Sequence, residues 1–438
     1  MEKINVDSLV VGGGIAGMQA ALDLADQGCR VALVEKEASI GGKMIALSKV
    51  FPTLDCCSCI TTPKMSAVAH HTNIQLFTYS EVQSVSENGQ GYSAQVLQKP
   101  RYVDPDACTA CRQCEYACPI NLPNEFDIEM GATRAVRVPF STAVPQTAVL
   151  DIENCILCGK CEKVCPANAI DFTQTAQSLE IEAATVVLAT GFETTPRDAK
   201  KEYGAGHLHN VIDGLMMERL LAPTGPYGRI LRPGDGKEPE SIAYVQCAGS
   251  RDQTLGVDYC SRVCCMYAIK QAMLISGSLP LADITIYYMD IRAFGKGYEQ
   301  FFQNARAMGV EFIKAKVASI KQDDDQNPVL RVELIDEDSR VVERTHDLVV
   351  LSVGLQPAYN PEAVFRVPVS KDGFVTIPDP NLAPCVTDRP GIFVTGTASG
   401  PMDIVDSIVM AGAAAAEAVA YLHEKTPLAI ELEPAYAD

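Results

Sequence analysis

The chain of 438 residues lacks an excess of basic side chains, because 36 lysines and arginines stand against 55 aspartates and glutamates. The net charge of −19 is opposite to the basic stripe of a nucleic-acid-binding surface, so no nucleic-acid partner is expected. Histidine is scarce, and the six histidines show no metal-ligand spacing. With 47% apolar and 21% charged residues, the composition is otherwise that of a globular protein with two or three domains.

Signals for export and for membrane insertion are also missing. The N-terminus runs directly into an apolar strand and has no secretory h-region. The longest apolar stretch, 404–422, contains Asp406 and Glu417 and therefore predicts a buried helix rather than a membrane span. The 17 cysteines are odd in number and many have cluster spacing, which favours a reducing compartment over a disulfide scaffold. We expect a cytoplasmic protein, with membrane association only through partner subunits.

Cysteine is abundant and occurs in ordered groups. One group has the spacing C-x2-C-x2-C-x3-C-P, and the same group is repeated further along the chain. This spacing wraps thiolates around a 4Fe–4S cluster, whereas a zinc ribbon uses two spaced pairs. In two-cluster ferredoxins the fourth cysteine of each group binds the other cluster. The predicted ligand sets are therefore Cys108, Cys111, Cys114 and Cys165 for one cluster, and Cys155, Cys158, Cys161 and Cys118 for the second.

A dinucleotide-binding fingerprint lies near the start of the chain. An apolar strand over 6–11 is followed by the pattern G-x-G-x-x-G and by a helix over 18–27. The first glycine permits a tight turn, the second lets the backbone approach a pyrophosphate, and the third lets helix and strand pack closely. A second strand over 30–34 ends in an acidic residue placed for ribose hydroxyls. The predicted contacts are Gly12, Gly14, Gly17 and Glu35.

Three later segments are similar to parts of the two-dinucleotide-binding-domain flavoproteins of the thioredoxin reductase and glutathione reductase group. They are the loop after Glu35, the apolar strand 184–190, and the segment 391–396, which leads into a helix from about Met402. The resemblance implies FAD as cofactor and a final helix whose N-terminus points at the flavin. The usual aspartate is replaced by threonine, which weakens the expected ribityl contact. The implied FAD-binding residues are Gly42, Lys43, Thr190, Gly191, Gly396 and Thr397.

The ferredoxin-like segment interrupts the FAD-binding region. The sequence therefore predicts an α/β fold, a thioredoxin reductase-like flavoprotein with two dinucleotide-binding domains and an inserted α+β two-cluster ferredoxin domain. An insertion between strands keeps its two ends close and leaves the host fold intact. The predicted FAD-binding parts are 1–100, 176–238 and 356–424, the insertion is 101–175, a remodelled nucleotide-type domain is 239–355, and a partly ordered tail is 425–438.

The second nucleotide-type domain lacks a second G-x-G-x-x-G. Its first strand, 241–246, leads instead into four cysteines at an uncommon spacing: Cys247, Cys260, Cys264 and Cys265. From the residues alone, these thiols could bind a third cluster, form a redox disulfide or provide a catalytic thiol. A disulfide between adjacent cysteines is strained, so two thiolates on one cluster are favoured. Further strands are predicted over 284–288 and 309–314.

The strings 246–252, 259–272 and 290–299 closely resemble the heterodisulfide reductase A family, and the resemblance extends over nearly the whole chain. It implies that the four cysteines bind an unusual 4Fe–4S cluster near FAD, which gives three such clusters in total. It also implies that Lys270 lies close to flavin N5 and acts in catalysis. Without the resemblance, Lys270 would be interpreted as a surface helix lysine.

The resemblance also implies a function and partners. We expect an electron-transfer subunit that takes part in flavin-based electron bifurcation or confurcation between a two-electron donor, a low-potential ferredoxin and a disulfide on a partner. The implied partners are heterodisulfide reductase-like B and C subunits, ferredoxin, and an electron-input subunit of the hydrogenase, formate dehydrogenase or NADH-oxidising type. A homodimer within a larger complex is expected. The chain is expected to be a short form, without the extra N-terminal and C-terminal domains of the methanogen proteins.

Two other hypotheses remain open. Cys56, Cys57 and Cys59 follow the Gly41-Gly42 loop, so the chain could be an NAD(P)H-dependent disulfide reductase that uses these thiols. The missing second G-x-G-x-x-G argues against that hypothesis. Alternatively, the chain is an electron-wiring subunit that does not bifurcate, and no motif distinguishes this from bifurcation.

Overall fold

The computed structural model describes residues 2–89 and 91–425. The described helices are α1 (Ile15–Asp26), α2 (Cys57–His70), α3 (Gln113–Ala117), α4 (Lys160–Val164), α5 (Gly214–Leu221), α6 (Cys264–Ser278), α7 (Tyr298–Ala307), α8 (Glu362–Phe365) and α9 (Ile404–Lys425). The described strands are β1 (Glu2–Val11), β2 (Val31–Glu35), β3 (Ile74–Thr78), β4 (Ser80–Glu87), β5 (Tyr92–Gln98), β6 (Leu122–Pro123), β7 (Ala132–Thr133), β8 (Val136–Arg137), β9 (Val149–Leu150), β10 (Gln177–Leu188), β11 (Phe192–Thr194), β12 (Val211–Asp213), β13 (Ser241–Val245), β14 (Asp283–Tyr288), β15 (Glu311–Gln322), β16 (Pro328–Leu334), β17 (Arg340–Thr345), β18 (Leu348–Leu351), β19 (Leu355–Pro357) and β20 (Ile392–Val394).

The first sheet has the strand order β3-β2-β1-β10-β5-β4, and β20 pairs with the C-terminal half of β10. β1, β2, β3 and β20 run parallel to their partners, and β2 and β20 are buried along their whole length. Successive residues of β1 face opposite sides of the sheet. Val10 packs in the core that includes Leu24 of α1 and Ala414 of α9, whereas Leu9 packs in the core that includes Phe365 of α8.

The inserted segment leaves the first sheet between two paired strands. Gln98 at the end of β5 and Gln177 at the start of β10 are direct antiparallel partners. The segment between them has its own core of small and branched apolar side chains, including Val103, Val138 and Ile170. The predicted ferredoxin insertion into an FAD-binding α/β fold is therefore confirmed, and the host sheet is continuous across it.

The second sheet has the order β12-β18-β13-β14-β15-β16-β17. Its first five strands are parallel, and the last two add an antiparallel meander. Helices α5, α6 and α7 share a core with one face of this sheet, in which Tyr244 and Ile269 are fully buried. A short ribbon of β11 and β19 lies outside both large sheets. In open parallel sheets ligands bind beyond the carboxyl ends of the strands, and Cys247 stands two residues beyond the end of β13.

Several predicted element bounds differ from the structure. The strand predicted over 184–190 is the last part of a longer strand, β10, which begins at Gln177 and ends at Leu188. The strand predicted over 309–314 starts at Glu311 and continues to Gln322, and the final helix begins at Ile404 rather than near Met402. β12 precedes the predicted domain boundary at 239 and lies in the second sheet.

The final helix, α9, is long and apolar enough to cross a membrane by length and composition alone, with a mean hydropathy of 1.5. Ala411, Ala414, Ala415 and Ala418 are fully buried in the core shared with α1, so one face of α9 is covered by protein. The predicted buried helix is thus buried along one face only. The tail predicted from 425 onward lies, beyond Lys425, outside the described residues.

Candidate functional site

The glycine fingerprint forms a crowded turn between β1 and α1. Gly12 has a φ of +105°, and a Cβ on Gly17 would lie 1.8 Å from the carbonyl oxygen of Gly12. Any side chain at Gly17 would therefore push α1 away from the strand. Glu35, at the end of β2, accepts hydrogen bonds from the backbone N–H groups of Gly13 at 2.6 Å and Glu37 at 2.8 Å. Burial raises the pKa of Glu35, and these two donors oppose the shift.

The other predicted FAD-binding segments meet the same turn. A Cβ on Gly42 would lie 2.8 Å from the Cα of Gly14, and a Cβ on Gly396 would lie 2.7 Å from the Cβ of Ala16. A Cβ on Gly12 would lie 2.3 Å from the carbonyl oxygen of Ala189, which precedes Thr190 and Gly191. Three segments, at Gly42, Ala189 and Gly396, thus pack closely against the turn that begins α1. This arrangement fits a dinucleotide, whose phosphates need close backbone approach and the positive end of a helix.

Two of the predicted contacts lie at the edge of this arrangement. Lys43 is partly exposed, and its Nζ forms an ion pair with Glu193 at 2.8 Å. Thr397 lies in a single 3-10 turn, Gly396–Ala398, that precedes α9. The hydroxyl Oγ1 of the neighbouring Thr395 is buried without a hydrogen-bond partner. The roles predicted for Lys43 and Thr397 stay predictions.

The two ferredoxin-type motifs have the same backbone conformation. Ala110 and Leu157, each two residues after the first cysteine of its motif, have φ values of 54°. Arg112 and Gly159 hold equivalent left-handed positions directly before the short helices α3 and α4. Such turns direct consecutive N–H groups to one side of the chain. One result is a hydrogen bond from the Leu157 N–H to the Cys155 sulfur at 3.3 Å.

The structure brings the eight cysteines of these motifs together in two sets, each around a small cavity. The fourth cysteine of each motif lines the cavity of the other motif. Burial, together with the charges of the neighbouring thiols, raises the pKa of Cys114 to about 11. One cavity is lined by Cys108, Cys111, Cys114 and Cys165, and the other by Cys118, Cys155, Cys158 and Cys161.

The cysteines of each ferredoxin-type set line a cavity and do not meet at a single metal-ion position. Within 2–89 and 91–425, no three His, Cys, Asp or Glu side chains converge closely enough for a single metal ion. A 4Fe–4S cube holds its four thiolates at separate corners, so its ligands stand further apart than those of one zinc ion. The donor sets therefore fit two clusters. The ligand assignment itself stays a prediction.

The third cysteine set lies at the carboxyl edge of the second sheet. Cys247 follows β13 with a φ of 58°, and Cys264 and Cys265 begin α6. The Cys260 sulfur accepts a hydrogen bond from the Arg262 N–H at 3.4 Å. Burial raises the pKa of Cys264, and Cys247, Cys265 and Cys260 are close enough to raise it further by charge repulsion. Four neighbouring thiols, of which Cys264 and Cys265 are buried, fit the separated corners of one further cluster.

An ion pair borders this third set. Arg251 Nη1 contacts Asp290 Oδ1 at 2.5 Å, and the Arg251 side chain is close enough to Cys247 for each to shift the pKa of the other. The Cys265 sulfur lies 3.9 Å from the backbone carbonyl oxygen of Asp290. Burial raises the pKa of Cys247, whereas the Arg251 guanidinium opposes the rise. Arg251 is therefore the cation next to the thiols of this set.

Lys270 is buried, so its interpretation as a surface lysine is wrong. Its side chain is 2% exposed, and its Nζ donates to the Glu218 carboxylate and to the Lys49 carbonyl oxygen at 2.8 Å. Glu218, which is 3% exposed, also accepts from Ser48 and Gln271. Burial by itself raises the pKa of Glu218, but the Lys270 ammonium and these hydrogen bonds outweigh it and lower the pKa.

The first sheet with its helices is called the first unit, and the second sheet with α5, α6 and α7 the second unit. The pair of Lys270 and Glu218 links α5 and α6 of the second unit to the segment after Lys43 in the first unit. Sequence reasoning identified Lys270 but missed Glu218, Arg251 and Asp290. A carboxylate within the otherwise apolar start of α5 was the available signal for Glu218. Cys57 lies close to both members of the pair, since their charges act on its thiol in opposite directions. The flavin contact predicted for Lys270 stays a prediction.

Two family models match parts of the chain. The model of FAD dependent oxidoreductases covers residues 7–99, and the model of the 4Fe-4S dicluster domain covers residues 107–170. Together with the geometry of the two regions, these matches establish FAD and iron–sulfur clusters as the cofactors. In fold, the chain is similar to thioredoxin reductases. The T. acidophilum enzyme has a TM-score of 0.53 at 13% identity, covering 95% of this chain and 98% of that one.

Curated relatives extend over nearly the whole chain. The A subunit of H(2):CoB-CoM heterodisulfide,ferredoxin reductase from Methanothermobacter marburgensis is 43% identical, covering 99% of this chain and 66% of that one. An iron-sulfur A subunit of CoB--CoM heterodisulfide reductase from Methanopyrus kandleri is 47% identical, with coverages of 96% and 66%. The chain thus spans just under two thirds of the length of these relatives. It belongs to the family of heterodisulfide reductase A subunits.

Proposed function

We propose that this chain is the FAD- and iron–sulfur-carrying oxidoreductase subunit of a heterodisulfide reductase-like complex. In this complex it distributes electrons between a two-electron donor, a low-potential ferredoxin and a disulfide bound by a partner subunit. The proposal includes bifurcation or confurcation at the flavin and three 4Fe–4S clusters. The expected partners are B- and C-type subunits, ferredoxin, a second copy of the chain and an electron-input subunit of the hydrogenase, formate dehydrogenase or NADH-oxidising type.

One observation carries the proposal. Cys247, Cys260, Cys264 and Cys265 converge at the carboxyl edge of the second sheet, where a nucleotide-binding domain of this fold places its ligand. A thiol-lined site there favours one-electron exchange over nicotinamide binding. The names of the relatives agree with this, since they combine heterodisulfide with ferredoxin, hydrogen or formate.

When bound, FAD exchanges one or two electrons, whereas each cluster accepts one electron at a potential set by its surroundings. Side chains and backbone of this chain shape the sites for FAD and for the clusters. The glycine turn at α1 would hold the dinucleotide phosphates through its backbone, and the Lys270 ammonium supplies a buried cation paired with Glu218. Arg251 supplies a second cation at the third cysteine set. Both cations favour electron-rich states of any group that binds beside them.

Substitution of Cys260 tests the site. With three four-iron clusters, the intact chain holds about 12 Fe per FAD, and Cys260→Ser is expected to lower this to about 8 with FAD retained. The matched control is Cys29→Ser, a thiol at the turn before β2 that belongs to none of the three sets. Unchanged iron content in Cys260→Ser would overturn the assignment of the third cluster.

Bifurcation is tested with the complete complex. Reduction of ferredoxin by the natural donor is expected to require the disulfide acceptor and to stop in Cys260→Ser. Ferredoxin reduction that proceeds at the same rate without the acceptor would instead support an electron-wiring subunit that does not bifurcate.

A further inference from the structure

Cys56 and Cys59 form a pair of thiols outside the three cysteine sets that fit clusters. Cys56 is the N-cap residue of α2, and its sulfur accepts a hydrogen bond from the Cys59 N–H at 3.4 Å. The two thiols are close enough that each shifts the pKa of the other. Cys59 is exposed and Cys56 is partly exposed, so both sulfurs are open to a small molecule.

The surroundings favour a thiolate at Cys56. The hydrogen bond from the Cys59 thiol lowers the pKa of Cys56, and backbone N–H groups of the first turn and the Lys49 cation lower it further. The same thiol–thiol hydrogen bond raises the pKa of Cys59. α2 has 14 residues, so its N-terminus carries the positive end of a full helix dipole. The pair therefore has one reactive sulfur and one protonated neighbour.

Cys57, which lies between them in sequence, has a different environment. Its side chain is fully buried, and burial raises the pKa of its thiol to about 12. It faces inward, towards the pair of Lys270 and Glu218, rather than the solvent. Of the three thiols in this segment, Cys57 is therefore the unreactive one.

We propose that Cys56 and Cys59 are a redox-active dithiol that reduces a small, solvent-borne disulfide. The Cys56 thiolate attacks one sulfur of the disulfide RS–SR, forms a mixed disulfide and releases RS⁻, which takes up a proton. Cys59 then loses its proton and attacks the Cys56 sulfur, which releases the second RS⁻. The pair ends as an intramolecular disulfide, oxidised by two electrons, and RS–SR has become two RSH. An external dithiol in excess reduces the Cys56–Cys59 disulfide to the dithiol again and is itself oxidised to its disulfide.

This site uses only Cys56 and Cys59, without Cys57, and it needs no nicotinamide nucleotide. Its geometry is independent of the cluster-binding sets, so the dithiol stands or fails separately from the proposed electron-transfer function. The test therefore uses the cofactor-loaded chain alone, under anaerobic conditions, without donor, ferredoxin or partner subunits.

The probe is bis(2-hydroxyethyl) disulfide, followed by alkylation of the remaining thiols and mass analysis of the tryptic peptide 50–64. The wild-type peptide is expected to lose the mass of two hydrogen atoms, with Cys57 alkylated only after unfolding. In Cys59→Ser, the mixed disulfide is expected to persist on Cys56. In Cys56→Ser, the initial rate of exchange is expected to fall at least about tenfold, because the thiolate is lost. Cys29→Ser is the control and is expected to react like the wild type.

Iron and FAD content are measured on each variant. Loss of iron from Cys56→Ser or Cys59→Ser would overturn the proposal, because it would make these residues cluster ligands. A wild-type peptide that gains an adduct on Cys57, or that forms no internal disulfide, would also overturn it. The mass analysis of the wild-type peptide tests the proposal even if one of the variants fails to fold.

Discussion

The ammonium of Lys270 lies 2.5 Å from the carboxylate of Glu218, and neither side chain has more than 3% of its surface exposed. The two residues lie on adjacent helices of the second unit, and both also contact the backbone or side chain of residues 48 and 49 in the first. Two opposite charges are thus buried together at the junction of the two units. Removing one charge leaves the other buried and unpaired.

Lys270→Met is expected to lower the free energy of unfolding by about 3–5 kcal/mol, because Glu218 loses its counter-charge. The double variant Lys270→Met with Glu218→Gln is expected to be more stable than Lys270→Met, since no unpaired buried charge remains. Urea unfolding of the three proteins measures the difference. Equal stabilities of wild type and Lys270→Met would contradict a buried ion pair at this junction.

Arg251 and Asp290 are expected to shift the potential of the cluster on Cys247, Cys260, Cys264 and Cys265 in opposite directions. A nearby cation favours the reduced, more negative cluster, so Arg251→Gln should lower the midpoint potential by at least about 59 mV, a tenfold change in the ratio of reduced to oxidised cluster. Asp290→Asn removes the opposing anion and should raise the potential. Redox titration followed by electron paramagnetic resonance measures both.

A purely structural role for Arg251 predicts another result. Both variants would then lose iron, or would shift the potential in the same direction. Arg344→Gln on β17 provides a control for the loss of a cation away from the cysteine set.

The exchange of the fourth cysteine between the ferredoxin motifs can be tested by counting iron in double variants. Cys114→Ser with Cys165→Ser removes two ligands of one predicted cluster, so about 8 of 12 Fe should remain. Cys114→Ser with Cys118→Ser removes one ligand from each cluster, so about 4 Fe should remain. If each motif binds its own cluster, the two results will be interchanged.

His346 is expected to make the stability of the second unit depend on pH. Burial, assisted by the Arg344 charge, lowers the pKa of His346 from 6.5 to about 4. The ring is hydrogen-bonded to Ser241 at 2.8 Å and to Tyr287 at 3.0 Å. The unfolded chain therefore binds a proton between pH 6.5 and 4 that the folded chain does not. The contribution of His346 is fully present above pH 6.5 and is lost, up to roughly 3 kcal/mol, as the pH falls towards 4.

Urea unfolding at pH 7.5, 6 and 5 measures this dependence. His346→Gln is expected to flatten the slope, whereas His207→Gln, at an exposed position, should leave it unchanged. A wild-type stability that is independent of pH in this range would contradict the lowered pKa.

The sequence allowed prediction of the parts of the molecule that depend on local spacing. Gly17 must be glycine because a side chain there would collide with the carbonyl oxygen of Gly12 in the same turn, and that requirement is visible as a motif. The two cysteine motifs are likewise local, since their turns at Ala110 and Leu157 recur at the same offset. Sites of this kind are encoded within a single turn and are recognisable without the fold.

Contacts between distant segments were not predictable. Glu218 and Lys270 are 52 residues apart, and a lysine in a helix suggests solvent exposure unless its partner is known. Only the last part of β10 was predicted as a strand, because the sequence pattern changes along its length. Residues such as Glu180 and Glu182 alternate with buried ones where it pairs with β5, whereas Val186 to Leu188 are fully buried between β1 and β20.

The pairing of Gln98 with Gln177 means that β5 and β10 are the two arms of one β-hairpin, in which the cluster-bearing segment occupies the position of the loop. A hairpin needs only a few loop residues to keep its register. The flavin-binding sheet is therefore compatible with the loss, gain or exchange of the whole segment at this point. A cluster-bearing electron-transfer domain can therefore be inserted into such a flavoprotein, or lost from it, while the fold of the flavin-binding sheet stays the same.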